Sequence, residues 1–531
     1  MARRKETSRI EPAHSLMYEP GSLPLVANPP EAEALLQRIT PVLKNPFNIR
    51  QEEAFKRSFE DRLLLVWGPP GTGKTTVLAG IILGWLEHAA TTGISVRIGI
   101  GASNYNALDN VLSEAVEIYE RHVKQSGGNK TVRFIRVRSD HQTGPQDTRL
   151  EDIARSSEDG QKLAQALDSS DSSLVVGSTW MQLGKLSQYS GESRRAASRW
   201  FDLLIIDEAS QMDVSSAGAY FLLLTEQANV VMAGDHRQLG PIYGFNLSEH
   251  KAGLLDCIFS YMQLTHEQLP IALNENYRNN DEIAAWPRVR FYEQDFRANF
   301  PTRRLNITLP DYNEVSPPDW TEQLPWTKNY LQILDPNLPV VVITYGAGSY
   351  TLSNSFEAQT VAALTYLYRS IIMGKNKLLD EKEFWEEKLG IVTPHRAQIA
   401  AIRNRLIASA GFSRQPSPIV DTVDRFQGLE RDLIISSYTV ADPDFVGSEE
   451  EFILSPRRFN VTLTRARSKF IMLVSDAIIH YLPSDMEVAT DAAHIQLFVE
   501  KYCPIVKNIE LPFLEDDGSL TLVPCRLRVP A

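Results

Sequence analysis

Cysteine is scarce in this chain. Cys257, Cys503 and Cys525 are spread too widely for a zinc ligand set or a disulfide framework. The ten histidines are scattered as well, which argues against a His/Cys metal cluster. No apolar run approaches the roughly 20 residues that a membrane-spanning helix needs, so no membrane partner is expected. Met1-Ala2-Arg3-Arg4-Lys5-Glu6 is basic but has no apolar core behind it, which does not fit a secretory signal. These features point to a reducing intracellular compartment, cytoplasm or nucleus. Net positive charge is also missing: 54 basic against 66 acidic residues give −12. Coating of nucleic acid through bulk charge is thereby excluded. A local groove that tracks a strand remains compatible with that balance.

What the sequence does have is a phosphate loop. Gly68-Pro69-Pro70-Gly71-Thr72-Gly73-Lys74-Thr75 fits the pattern of Gly, four residues, then Gly-Lys-Ser/Thr. The apolar run Leu63 to Trp67 before it predicts a buried strand. Val77, Ile81, Ile82 and Trp85 behind it share one stripe of a helix. Glycines let backbone N–H groups turn toward a phosphate chain with no Cβ in the way, and the helix start adds partial positive charge. Lys74 is placed to reach β- and γ-phosphates, and Thr75 to put its hydroxyl on Mg²⁺. Pro70 and Thr76 complete the nucleotide-facing stretch.

A second signal is Phe201-Asp202-Leu203-Leu204-Ile205-Ile206-Asp207-Glu208, a strand that delivers two adjacent carboxylates. Asp207 suits the Mg²⁺ shell and Glu208 the attacking water. A further strand ends at Gly234-Asp235-His236-Arg237-Gln238-Leu239, where Gln238 is placed to orient water or sense the γ-phosphate. Ahead of the loop, Gln51 carries an acceptor and two donors that suit an adenine edge; a plain exposed helix-start glutamine is the alternative. Ser103, Asn104 and Tyr105 follow a predicted strand, Val96 to Ile100, at the edge where open α/β sheets bind ligands. The next helix has Leu108, Val111, Leu112, Ala115, Val116 and Tyr119 on its core face.

Alternating strands and helices predict an α/β fold with two tandem parallel-sheet domains. The expected organisation is a partly disordered lead-in, 1–44, then a first domain, 45–285, with a small insertion at about 113–172. A proline-rich passage, 286–335, leads to a second domain, 336–507, and a tail, 508–531, with a hairpin turn at Asp516-Asp517-Gly518-Ser519. The second block has no phosphate loop of its own and is expected to complete the first domain's site.

The ordered motifs resemble superfamily 1 helicases, in particular the up-frameshift-like, senataxin-related group. The resemblance runs from about Asn48 to Val474. Asn48 and Gln51 look like that family's glutamine motif. The phosphate loop, Ser103-Asn104, Asp207-Glu208-Ala209-Ser210-Gln211 and Gly234 to Leu239 follow in order. Asn276-Tyr277-Arg278, Asn354 and Glu357, Pro394 to Gln398, Thr422 to Asp432 and Asn460 to Arg467 complete the set.

The resemblance implies two RecA-like domains with ATP and Mg²⁺ in the cleft between them and single-stranded DNA or RNA across both. It implies that Gln51 reads adenine, Tyr277 stacks on it, and Gln427, Gly428 and Glu430 lie around the nucleotide, with Glu430 on the ribose. Arg278 and Arg465 become arginine fingers. Ser103, Asn104, Thr179, Pro394 and Thr422 become strand contacts.

The sequence departs from the pattern at Gly240, at Asn276 where Gln is usual, and at Asn279-Asn280 where a Met-His pair is usual. Relatives commonly carry a β-barrel on stalk helices, for which the stretch before Asn48 is too short. The implied activity is ATP-dependent movement on a single strand, 5′→3′. A nucleic-acid-stimulated ATPase that works as a remodelling or assembly switch, alone or in a larger complex, fits the same residues.

Overall fold

The computed structural model describes residues 12–27, 29–127, 131–142, 147–169, 172–190, 199–241, 256–292, 295–310, 320–375, 380–515 and 517–531. The chain forms two compact units, Met1–Asn274 and Glu275–Ala531. The division precedes Tyr277 and Arg278, which therefore belong to the second unit. No helix among the described residues is long and apolar enough to cross a membrane.

The first unit is built on one sheet. Its strands are β1 (Leu63–Trp67), β2 (Arg97–Gly101), β3 (Arg133–Arg138), β4 (Glu151–Ala154), β5 (Leu174–Ser178), β6 (Phe201–Ile206), β7 (Leu224–Gly234) and β8 (Ile271–Ala272). They lie in the order β4-β3-β5-β2-β6-β7-β1-β8, and every pairing is parallel. Parallel sheets bury both faces, which is why β2 and β5 are buried throughout. Helices Lys74–Thr92 and Tyr105–Ser126 cover one face. Val77, Ile81 and Ile82 are buried as their spacing predicts, and Trp85 stacks on Phe59 at 5.4 Å. All six predicted core positions of the second helix are buried.

Residues 113–172 hold the back of that helix, then β3, β4 and helix Glu158–Ser169, so they extend the sheet itself. Arg136 on β3 is buried between Asp109 (2.6 Å) and Asp152 (3.2 Å). Within the stretch expected to be extended, Ala13–Tyr18 is helical and buries Leu16; residues 1–11 lie outside the described residues.

The second unit has a short parallel pair, β9 (Glu275–Asn276) with β10 (Arg297–Ala298). Its main strands are β11 (Val340–Tyr345), β12 (Leu389–Val392), β13 (Val420–Asp421), β14 (Arg431–Ser437), β15 (Ala466–Ser475), β16 (Ile505–Leu514) and β17 (Leu520–Val529). Their order is β13-β12-β14-β15-β11-β17-β16. The first five run parallel, and β17 joins β11 antiparallel. Residues 505–529 are thus a hairpin added to the sheet edge. Of its expected turn, Asp516 lies outside the described residues, and Gly518 takes a φ of 84°.

A buried polar network ties the strand ends of this unit together. Glu357, fully buried at the start of helix Ser355–Lys375, accepts from the hydroxyls of Tyr345 and Ser437 and from the Thr439 amide at 2.9 Å. Asn354 Nδ2 donates to the Thr439 carbonyl (2.9 Å), and the Thr439 hydroxyl meets that of Thr393 at 3.0 Å. Thr439 has a φ of 71°, costly for a β-branched residue, and these contacts hold it there.

Burial pushes the Glu357 carboxyl up from 4.5 to about 7, against the three hydrogen bonds that favour its anion. Between these values the folded chain holds a proton that the unfolded chain releases. The group's stabilisation is therefore complete below about 4.5 and lost as pH rises through about 7. Denaturant unfolding of wild type and Glu357→Gln at pH 5 and pH 8 checks this. Wild type is expected to lose about 3 kcal/mol more than the variant across that window, and equal losses contradict it.

Candidate active site

On the first unit, three neighbouring strands end at one place. The loop Gly68–Thr75 follows β1, Asp207 and Glu208 follow β6, and Asp235 to Gln238 follow β7, which lies between them. The Gly68 amide donates to the Gly234 carbonyl at 3.1 Å, fixing the loop to β7. Gly71 and Gly73 have φ of 73° and 80°, conformations that favour glycine. A Cβ on Gly68 would lie 2.1 Å from Lys74 Cγ, so the lysine stem uses the space that glycine leaves. Lys74 Nζ donates to the Gly68 carbonyl at 2.6 Å. Thr72 is buried, with its hydroxyl on the Pro69 carbonyl at 2.8 Å. Pro70 lies in the loop's turn, Thr75 is half-buried in the first helical turn, and Thr76 donates to Glu114 at 3.0 Å.

Asn48 and Gln51 have a local job as well. Asn48 caps helix Ile49–Glu60, and the two side chains form a reciprocal capping box. Gln51 is 4% exposed, and its Nε2 donates to the Thr72 carbonyl at 3.0 Å. The glutamine therefore braces the phosphate loop directly.

Asp207 is buried, and its carboxyl is pushed up by burial and by neighbouring Glu208, with Lys74 opposing. Glu208 has a φ of 50°, an uncommon conformation outside glycine that turns its side chain at the strand end. Its Oε2 accepts from Gln211 Nε2 at 3.2 Å, and Gln211 Oε1 faces Ser103 Oγ at 3.4 Å. Gln238 is buried and donates to Asp235 Oδ2 (2.8 Å), whose other oxygen accepts from Trp67 Nε1 at 3.1 Å. Ser103 and Asn104 are exposed beyond β2, and half-buried Thr179 lies beyond β5. These strands are register neighbours at Gly101 and Ser178. Asn104 also caps its helix.

The oxygen donors present suit a hard cation: the Thr75 hydroxyl and the Asp207 carboxylate are the set that Mg²⁺ uses alongside water and phosphate oxygens. No group of three or more His, Cys, Asp or Glu side chains among the described residues forms a protein-only metal cage.

The second unit gathers a charged cluster. Arg278 forms an ion pair with Glu430, whose carboxyl is held below its usual range chiefly by that guanidinium. Arg465 is 2% exposed and donates from Nε to the Val461 carbonyl at 3.0 Å. Tyr277 donates its hydroxyl to Glu275 at 3.0 Å. Gln427 Nε2 is buried without a hydrogen-bond partner, a donor available to a ligand, and Gly428 takes a φ of 86°. Half-buried Pro394 and Thr422 follow β12 and β13, which are neighbours at that edge. Two further arginines join this cluster: Arg303 donates to the Tyr277 carbonyl at 3.3 Å, and Arg467 pairs with Asp432 at 2.9 Å. No local pattern marks Arg303, whereas Arg467 lies within the stretch Asn460 to Arg467 that carries the family resemblance.

Comparisons with known proteins agree along the chain. Two models described as AAA domain match it, one over residues 46–244 and the other over 254–477. The DNA replication ATP-dependent helicase/nuclease DNA2 of Bos taurus is 26% identical over 463 residues, covering 84% of this chain and 38% of that protein. The ATP-dependent helicase upf1 of Schizosaccharomyces pombe is 26% identical over 453 residues, covering 80% of this chain and 44% of the relative. The Regulator of nonsense transcripts 1 homolog of Arabidopsis thaliana is 23% identical over 465 residues, with 82% and 33% covered. These matches and relatives support a superfamily 1 helicase of the up-frameshift-like group. The chain spans less than half the length of these three relatives. Among solved structures, the crystal structure of Arterivirus nonstructural protein 10 (helicase) aligns at 13% identity and a TM-score of 0.33, covering 80% of this chain and 61% of that one.

The three asparagines that depart from the family pattern, Asn276, Asn279 and Asn280, are all fully buried. Asn276 Oδ1 accepts from the amides of Arg278 (2.8 Å) and Asn279 (3.0 Å), and its Nδ2 donates to Asn279 Oδ1 at 2.7 Å. Asn280 caps helix Asp281–Arg290 and donates to the Ser468 carbonyl at 2.8 Å. The unusual residues form a satisfied interior network, the condition under which buried amides stabilise a fold.

Proposed function

We propose that this chain is an ATP-dependent helicase or translocase acting on single-stranded nucleic acid. The observation that carries the reading is the convergence of phosphate loop, Asp207-Glu208 and Gln238 at the ends of β1, β6 and β7. Lys74 exchanges the Gly68 carbonyl for phosphate oxygens, and the loop amides turned by Gly71 and Gly73 take the rest. Thr75 and Asp207 would hold Mg²⁺, which would supply charge neutralisation at the phosphates. Glu208 accepts the proton of the attacking water, and Gln238, fixed by Asp235, orients that water.

Arg278 and Arg465 supply the cations that the transferred phosphoryl group needs as its charge spreads. Arg278 must first exchange its ion pair with Glu430, which leaves that carboxylate free for a ribose hydroxyl. The phosphate loop is on the first unit and both arginines are on the second, so turnover requires both. Ser103, Asn104 and Thr179 on one unit, and Pro394 and Thr422 on the other, are strand contacts, because each set lies at the carboxyl edge of its sheet. Repeated cycles of binding and hydrolysis then move the strand, 5′→3′ by family resemblance.

Strand displacement tests this. A duplex with a 5′ single-stranded tail, as DNA and as RNA, is expected to be opened with ATP, whereas a 3′-tailed duplex is not. Strong nucleic-acid-stimulated hydrolysis with no displaced strand at saturating ATP would replace the helicase reading with a remodelling switch.

A further inference from the structure

The asparagine network touches the two proposed arginine fingers at once. Asn279 follows Arg278 directly. Its Nδ2 donates to the carbonyls of Thr464 (3.1 Å) and Ala466 (2.6 Å), the two residues that flank Arg465. Its Oδ1 accepts from Asn276, which also holds the Arg278 amide. Arg278 Nη1 lies 3.4 Å from the same Thr464 carbonyl. One buried amide therefore joins the backbone on both sides of Arg465 to the backbone of Arg278. The guanidiniums extend from a shared, hydrogen-bonded frame.

We infer that Asn279 is a positioning residue that sets the spacing between Arg278 and Arg465. The inference rests on the proposed role of those arginines in ATP hydrolysis. Two cations that must meet one phosphoryl group gain from a fixed separation, and a misplacement of about 1 Å can cost a catalytic step roughly 100-fold. A solvent-facing side chain could not serve, because water would compete for both carbonyls. Asn279 is fully buried, and both of its amide hydrogens and its oxygen are occupied.

The test is steady-state ATP hydrolysis by the full chain carrying Asn279→Asp, which keeps the shape but removes the donor. Asn279→Ser, which can reach one carbonyl at most, carries the test if the aspartate variant does not fold. The expected result is a kcat lower by about 10- to 100-fold with KM for ATP within about twofold, since only transition-state contacts are lost. A purely structural role would not produce that split. In an Arg278→Lys background the same Asn279 change is expected to lose most of its effect, because the residue acts through its neighbour. Full activity of the Asn279 variants beside an inactive Arg278→Ala overturns the inference alone. Full activity of Arg278→Ala overturns the arginine reading and the inference with it. A full Asn279 effect that persists in the Arg278→Lys background also overturns it.

Discussion

Arg278→Ala and Arg465→Ala are each expected to slow ATP hydrolysis by about 10³- to 10⁵-fold while leaving ATP affinity within a few-fold of wild type. The transferred phosphoryl group spreads negative charge over its oxygens, and a guanidinium placed there acts only as that charge develops. Neither arginine is a loose surface cation. Arg465 is buried, with Nε on the Val461 carbonyl and Nη1 3.4 Å from the Leu429 carbonyl. Arg278 is engaged by Glu430. Lysine replacements keep the charge but lose the planar fork, so Arg465→Lys is expected to recover only part of the rate. Single-turnover hydrolysis with a fluorescent nucleotide titration separates chemistry from binding. Loss of both together would point to a collapsed second unit, and no loss of rate would remove the arginines from the mechanism.

Glu208→Gln is expected to lower kcat by about 10²- to 10⁴-fold with nucleotide binding kept. Glutamine has nearly the shape of glutamate, and its side-chain oxygen can still accept from Gln211. It cannot take a proton from water. The strained backbone at Glu208, φ 50°, belongs to the position rather than to the charge, so the variant should fold as the wild type does. Tight ATP binding without phosphate release is the signature to measure. A variant that turns over normally would show that Glu208 is not the group that takes the proton of the attacking water.

The parts of this site that depend on local pattern were legible in the sequence. The glycines of the loop, an apolar strand ending in Asp207-Glu208, and the helix stripe Val77, Ile81 and Ile82 follow from spacing and polarity alone. Partners far apart in the chain were not legible. Nothing in the stretch around Gln51 shows that its amide reaches Thr72, or that Arg278 and Glu430 hold each other. The asparagines at 276, 279 and 280 stood out only as departures from a family pattern, yet Asn279 and Asn280 donate to backbone carbonyls nearly two hundred positions away. Residues 508–531 read as a tail with a hairpin turn, whereas the strands of that hairpin span 505–529 and their hydrophobic alternation is weak. Exposed Ile505, Val506, Leu520 and Leu522 blur it, and pairing with β11 supplies the order that local pattern does not.

The most direct measurement is steady-state ATP hydrolysis by the purified chain, alone and with single-stranded DNA or RNA of matched sequence, beside Lys74→Ala. The account predicts hydrolysis that Lys74→Ala abolishes and that at least one of the two polymers stimulates. Hydrolysis no faster than the Lys74→Ala control, or a rate that neither polymer changes although both bind, would contradict it.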